Sequence, residues 1–262
     1  MHSDHSTTEG GRGTMTKEHI VETEDVRPLH LDHPTDIDTL ILSDIHLGSE
    51  VSRAEQAAQL LRSYSFRRLI LNGDVFDDLN FKRLDRRDWR FLSTIRKLSA
   101  PKKDLEVVWV VGNHDGGVAD ILSHLLGVPV HEEYAWTHAG RVFLAIHGHQ
   151  FDKWITEHHV VTAVATKVYS GIQRIDRQRR VSRWVKRTSK KFLRLGDKIG
   201  ADAVLYGKER YGADVVCCGH THQALVKTIE GVLYVNSGAW TDVPSTYVTI
   251  DHAGGVNLRE CH

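Results

Sequence analysis

The sequence has no surplus of either charge, little cysteine and no long apolar run. Lys plus Arg number 34, as do Asp plus Glu, so net charge singles out no polyanionic or polycationic partner. Only three cysteines occur among 262 residues; Cys217 and Cys218 are neighbours and Cys261 is one residue from the end. A secreted disulfide framework shows an even number at wider spacing, so a fold held by disulfides is not expected. No stretch of about 18 apolar residues exists, which predicts no transmembrane helix. The opening MHSDHSTTEGGRGTMTKEH lacks the apolar core of a secretory signal. These absences lead to the expectation of a cytoplasmic protein.

What remains is enough chain for one large domain or two small ones. Residues 1–35 are polar and without period, and are expected to be disordered, leaving 36–262 as the folded part. There, short apolar runs recur between turn residues: TLILS (39–43), RLILN (68–72), EVVWVV (106–111), VFLAI (142–146), DVVCC (214–218), VLYV (232–235) and TYVTI (246–250). They are nearly continuous rather than alternating, as strands covered on both faces are. The last two follow closely enough to suggest a hairpin. Helical stretches separate the early runs. Ser52 with Glu55 has the spacing of a capping box ahead of AAQLL. Trp89, Phe91, Leu92, Ile95 and Leu98 fall at helical spacing, and 118–126 stops at Gly127 and Pro129. The alternation predicts an α/β domain.

Residues 152–200 hold no strand-like run and read as a helical insertion. Within them, 171–195 is strongly basic, with Ile172, Ile175, Val181, Trp184, Val185, Phe192 and Leu195 at helical spacing. Two readings stand with equal weight. One is a helix packed by its apolar stripe with its arginines in water. The other is a lid or membrane-surface element holding an anionic substrate, with Arg177, Arg180 and Arg183 as candidate contacts.

Histidine is plentiful, with 18 residues. His2, His5 and His19 fall in the polar leader, but others follow apolar runs in order. After successive runs come Asp44-Ile45-His46, Gly73-Asp74, Gly112-Asn113-His114-Asp115, His147-Gly148-His149 and Gly219-His220-Thr221-His222. In open α/β sheets ligands bind at the C-terminal strand ends. Asp44 and His46, like His220 and His222, are i, i+2 pairs that extended backbone would aim the same way. The intervening glycines allow sharp turns. Each motif alone is weak, and a lone histidine is more often core or surface than ligand. Packing does not explain the whole ordered set, because unpaired buried charge is costly. Carboxylate, amide and imidazole donors suit Mn, Fe or Zn.

This ordered set, DIH, GD, GNHD, HGH and GHTH, resembles the calcineurin-like metallophosphoesterases over about residues 38–251. The resemblance implies a four-layer α/β sandwich with two mixed sheets and a binuclear site. It implies one divalent ion held by Asp44, His46 and His222, a second by Asn113, His147 and His220, and Asp74 as the bridge. His114 would face the substrate phosphate instead. Asp115 is left between two roles, orienting His114 or capping the following helix. Such an ion pair clamps the phosphoryl oxygens and lowers the pKa of bound water. Manganese is the expected metal, with iron or zinc as alternatives.

Within the family, HGHQFD (147–152), the basic helical insertion and VNSGAWTD (235–242) most resemble the UDP-2,3-diacylglucosamine diphosphatases, which release UMP and a lipid 1-phosphate. That implies a nucleotide-linked lipid substrate and contact with the inner membrane surface. The sequence departs from that group: His114 stands where many members have Arg, and His149 where they have Asp. The group often has an acidic residue where Ala239 stands. Another phosphodiester, phosphomonoester or nucleic acid therefore stays open as substrate. A non-catalytic scaffold is disfavoured because every expected ligand is present. A nucleic-acid-binding module ranks low because no aromatic stacking platform accompanies the basic segment.

Overall fold

The computed structural model describes residues 34–101, 105–117, 119–152 and 190–262. Most of the polar leader and of the 152–200 insertion lies outside the described residues, including Arg177, Arg180 and Arg183. The strands form two mixed sheets. The first contains β1 (Thr35–Leu42), β2 (Tyr64–Asn72), β3 (Glu106–Val110), β4 (Val130–His131), β10 (Ser245–Ile250) and β11 (Val256–Cys261), in the order β11-β10-β1-β2-β3-β4. The second contains β5 (Glu133–His138), β6 (Arg141–Ile146), β7 (Val215–Cys218), β8 (Leu225–Ile229) and β9 (Val232–Asn236), in the order β5-β6-β7-β9-β8. β1 to β4 run parallel, as do β6, β7 and β9, and antiparallel strands close both sheets.

Three apolar layers hold the sheets together, and side-chain alternation along each strand builds them. Leu40, Leu42, Leu69, Leu71 and Trp109 face α1 (Ala54–Ser63) and α2 (Arg86–Leu98), meeting Ala57, Leu61, Phe91 and Ile95. Their neighbours Ile41, Ile70, Val108 and Val110 turn the other way, onto Phe143, Ala145, Val215, Cys217 and Val235 of the second sheet. The far face of that sheet, with Leu144, Ile146, Val216, Cys218 and Tyr234, packs on Ala203 and Val204 of α4 (Lys190–Tyr211). Each such fully buried Val, Leu, Ile or Phe side chain contributes roughly 1.5–3 kcal/mol. Helix, sheet, sheet and helix make the expected four layers.

Two local expectations are corrected. The 232–235 and 246–250 runs do not form a hairpin: β9 pairs with β8 and β7, and β10 with β11 and β1. The segment between them crosses from one sheet to the other, with Trp240 fully buried on the way. The capping box at Ser52 does not form. Ser52 Oγ instead donates to Ile45 O at 2.8 Å, and Arg53 begins α1 without a side-chain cap. A capping box does form at α2, where Asp85 accepts from Arg87 N and Asp88 N while Asp88 accepts from Asp85 N. Trp89 stands at helical spacing but is half exposed, while Phe91, Leu92 and Ile95 are buried. As expected, α3 (Ala119–Leu126) stops before Gly127. The last residues of the basic segment, from 190, belong to α4, which continues to 211. Among the described residues no helix is long and apolar enough to cross a membrane.

Candidate metal centre

The C-terminal ends of β1, β2, β3, β6 and β7 bring the predicted residues to one edge of the stacked sheets. Three sets of donor atoms lie within 4.8 Å of one another: Asp44, His46 and His222; His46, Asp74 and His114; and Asp74, His147 and His220. His222 Nε2 is 3.1 Å from Asp44 Oδ1 and 3.3 Å from His46 Nε2. His147 Nε2 is 3.3 Å from Asp74 Oδ2. His46 belongs to the first two sets and Asp74 to the last two, and together they join the two ends of the cluster. Asn113 is exposed in the turn after β3, directly before His114.

The residues converge by a different route from extended i, i+2 geometry. Asp44, His46, Asp74, His220 and His222 all have positive φ, between 50° and 64°. This left-handed conformation costs a non-glycine residue about 1 kcal/mol or more, and such strain gathers at functional sites. Hydrogen bonds hold it in place: Asp44 N donates to Gly73 O, His46 N to Asp74 O, His220 N to Asp44 Oδ2 and His114 N to Asp74 Oδ1, all within 3.0 Å. Close approach explains two of the glycines. A Cβ at Gly112 would lie 2.2 Å from Asp74 Oδ1, and one at Gly219 would lie 2.5 Å from Asp44 Oδ2.

The electrostatics are those of a site that demands positive charge. Burial alone would raise the Asp44 carboxyl, yet the His222 imidazole beside it brings it down to about 2. Asp74 is likewise held well below the usual carboxylate range, burial being outweighed by His147. Burial disfavours His147 as a cation, but Asp74 and then Asp44 push it up to about 10. Asp44 Oδ1 and His147 Nε2 are sealed from solvent, and neither makes a directed hydrogen bond despite its close neighbour. A cation among these carboxylates would displace the proton from His147, and such a mixed carboxylate and imidazole set fits divalent cations such as Mn, Fe or Zn.

Surrounding groups, not anticipated from the sequence, orient the rings. His147 Nδ1 lies 2.9 Å from Asn72 O, and His114 Nδ1 lies 2.6 Å from Asp77 O. His46 Nδ1 faces Asp77 Oδ1 at 3.5 Å, and His220 Nε2 faces Asp152 Oδ2 at 3.1 Å. Asn72 Nδ2 also donates to Cys217 O and Ile146 O, joining the two sheets beneath the site. Asp115 takes neither of its expected roles. Its buried carboxylate accepts from Val75 N, Phe76 N, Gly112 N and Trp109 Nε1, clamping the loops that carry Asp74 and His114. His149 is half-buried with its ring centroid 5.5 Å from that of His147, and burial, reinforced by His147 and His220, lowers it to about 4. The spacing GDVFDD and HGHQFD contained Asp77 and Asp152, but only the folded chain shows which rings they meet.

Two stacked mixed sheets with nitrogen and oxygen donors gathered at their C-terminal edge define a metallophosphoesterase-type α/β sandwich. The chain belongs to the calcineurin-like phosphoesterase superfamily, whose domain model matches residues 37–254. No curated protein matches the chain by sequence. Similar solved structures include an archaeal phosphodiesterase at 14% identity and a TM-score of 0.46, covering 85% of this chain and 98% of that one. Vps29 from Chaetomium thermophilum is similar at 14% identity and a TM-score of 0.45, covering 85% and 95%. The phosphoesterase Yfce from E. coli is similar at 17% identity and a TM-score of 0.44, covering 81% and 87%.

Proposed function

We propose that this chain is a phosphoesterase with two divalent metal ions that cleaves a phosphodiester or pyrophosphate bond. The observation that carries this reading is the run of donor sets linked through His46 and Asp74, from Asp44, His46 and His222 at one end to Asp74, His147 and His220 at the other. Asp44, His46 and His222 would hold one ion, and Asn113, His147 and His220 the other, with Asp74 between them. Manganese is the first candidate, with iron and zinc as alternatives. When bound, such ions supply Lewis-acid charge and lower the pKa of bound water.

The chain's own groups do the rest. Asp74 and Asp44 stay ionised and would supply the anionic donors for the cations. Asn72 O keeps the His147 ring turned with Nε2 inward. His114 Nδ1 faces a carbonyl, which only accepts, so Nδ1 carries a proton and Nε2 is the atom left for substrate. In its protonated form, His114 presents an Nε2–H to the phosphoryl group or to the departing oxygen.

For substrate we propose UDP-2,3-diacylglucosamine, split to UMP and a lipid 1-phosphate. HGHQFD and the basic segment 171–195 support this, and a lipid substrate would bring the protein to the inner membrane surface. A second reading, another phosphodiester, is favoured by His114 and His149, where that group differs. The deciding experiment assays the purified protein with added manganese, iron or zinc. It compares UDP-2,3-diacylglucosamine with bis-p-nitrophenyl phosphate and simple phosphomonoesters. Preferential turnover of the lipid nucleotide is expected. Turnover of simple diesters alone would establish the second reading, and no metal-stimulated turnover of any would overturn both.

A further inference from the structure

We propose that Asp152 is a positioning residue that sets the tautomer and ring orientation of His220, so that this histidine turns Nδ1 toward the cation site. The inference rests on the metal reading above. Asp152 is only 2% exposed. It ends the 3-10 turn His149–Phe151 that follows β6, and its N–H bonds back to His149 O at 3.0 Å. Its Oδ2 lies 3.1 Å from His220 Nε2. An ionised carboxylate only accepts hydrogen bonds, so Nε2 must carry the proton, and in the neutral imidazole the lone pair then falls on Nδ1.

The partner histidine in the same set is held the opposite way. His147 Nδ1 is tied to Asn72 O, which turns Nε2 toward Asp74. Two histidines of one donor set are therefore locked through different nitrogens, one by a backbone carbonyl and one by a buried carboxylate. The carboxylate does more than a carbonyl can. It adds a full negative charge beside the ring, and removing such a partner lowers metal affinity roughly 10–100-fold. The backbone of His220 is pinned separately, by its N–H to Asp44 Oδ2 at 3.0 Å. Loss of the Asp152 carboxylate would therefore release the ring without moving the chain.

Two measurements on the full-length, metal-stripped protein test this. The first is calorimetric titration with Mn2+ of the wild type, Asp152→Ala and Asp152→Asn. The wild type should bind two ions, and Asp152→Ala should bind one of them roughly 10–100-fold more weakly while the other is unchanged. Asp152→Asn keeps an acceptor oxygen and should lose less. The second is long-range proton–nitrogen NMR of the histidine-labelled wild type, with the His220 signals identified by their loss in His220→Gln. An Nε2–H tautomer is expected. Wild-type affinity for both ions in a folded Asp152→Ala protein, or an Nδ1–H tautomer at His220, would overturn the inference. Because the NMR arm uses the wild type, it stands even if Asp152→Ala fails to fold. A wild type that binds no second ion would instead sink the binuclear reading itself.

Discussion

At the scale of single residues, two kinds of chemistry separate within one strip of charge. Asp74 touches both halves of the cluster, whereas His114 stands beside it with one nitrogen tied to Asp77 O. Asp74→Ala should therefore abolish binding of both ions as a pair. Its activity loss should exceed the roughly 10–100-fold expected for a group outside the donor set. Metal analysis after dialysis, together with initial rates, checks both. In His114→Ala, metal content should persist while turnover falls roughly 10²–10⁴-fold, the range for a lost general acid. Loss of metal in that variant would place His114 among the ligands. The paired thiols at 217 and 218 belong to neither group. They are consecutive strand residues on opposite faces of the second sheet, Cys217 in the layer between sheets and Cys218 beneath α4. Burial pushes the Cys217 thiol up to about 12, so redox chemistry between them has neither geometry nor thiolate.

At the scale of elements, the runs legible in the sequence are the central strands. β1, β7 and β10 are buried almost throughout, which is why they read as continuous apolar runs. The four strands that did not stand out, β4, β5, β8 and β11, are the four sheet edges. Edge strands are paired on one side only and keep polar residues, as in LVKTI and VNLREC, so their pattern is diluted. Helix packing has its own signature. A Cβ at Gly207 of α4 would lie 2.8 Å from Val216 Cγ2 and 3.1 Å from Leu144 Cδ2. Gly207→Ala gains about 1 kcal/mol of helix propensity, but forcing α4 off the sheet costs about 1–3 kcal/mol. A lower urea midpoint is the expected net result, and a higher one would show that α4 can shift freely.

At the scale of the whole molecule, the three apolar layers hold the fold and the strained edge holds the site. Metal removal should thus weaken the fold without destroying it. At free ion concentrations about 100-fold above Kd, each bound ion adds roughly 2.7 kcal/mol. Chelation should lower the melting temperature while far-ultraviolet circular dichroism keeps its folded form. A chain that unfolds outright on chelation would show that the cores do not suffice alone.

The ordered motifs at the ends of apolar runs were enough to determine the α/β class and the family, because apolar continuity and donor chemistry are local properties of a chain. They contain Asp44, His46, Asp74, His114, His147, His220 and His222, which the fold draws together. The tertiary structure alone decided how those donors meet. It replaced extended i, i+2 geometry with left-handed backbone at five site residues. It moved Ser52 from helix cap to clamp, and Asp115 from neighbour of His114 to anchor of two loops. It brought Asp152 to His220 across 68 residues. Such contacts join segments far apart in the chain, and a hydrogen bond at 3 Å depends on where both backbones are held, which no local pattern records.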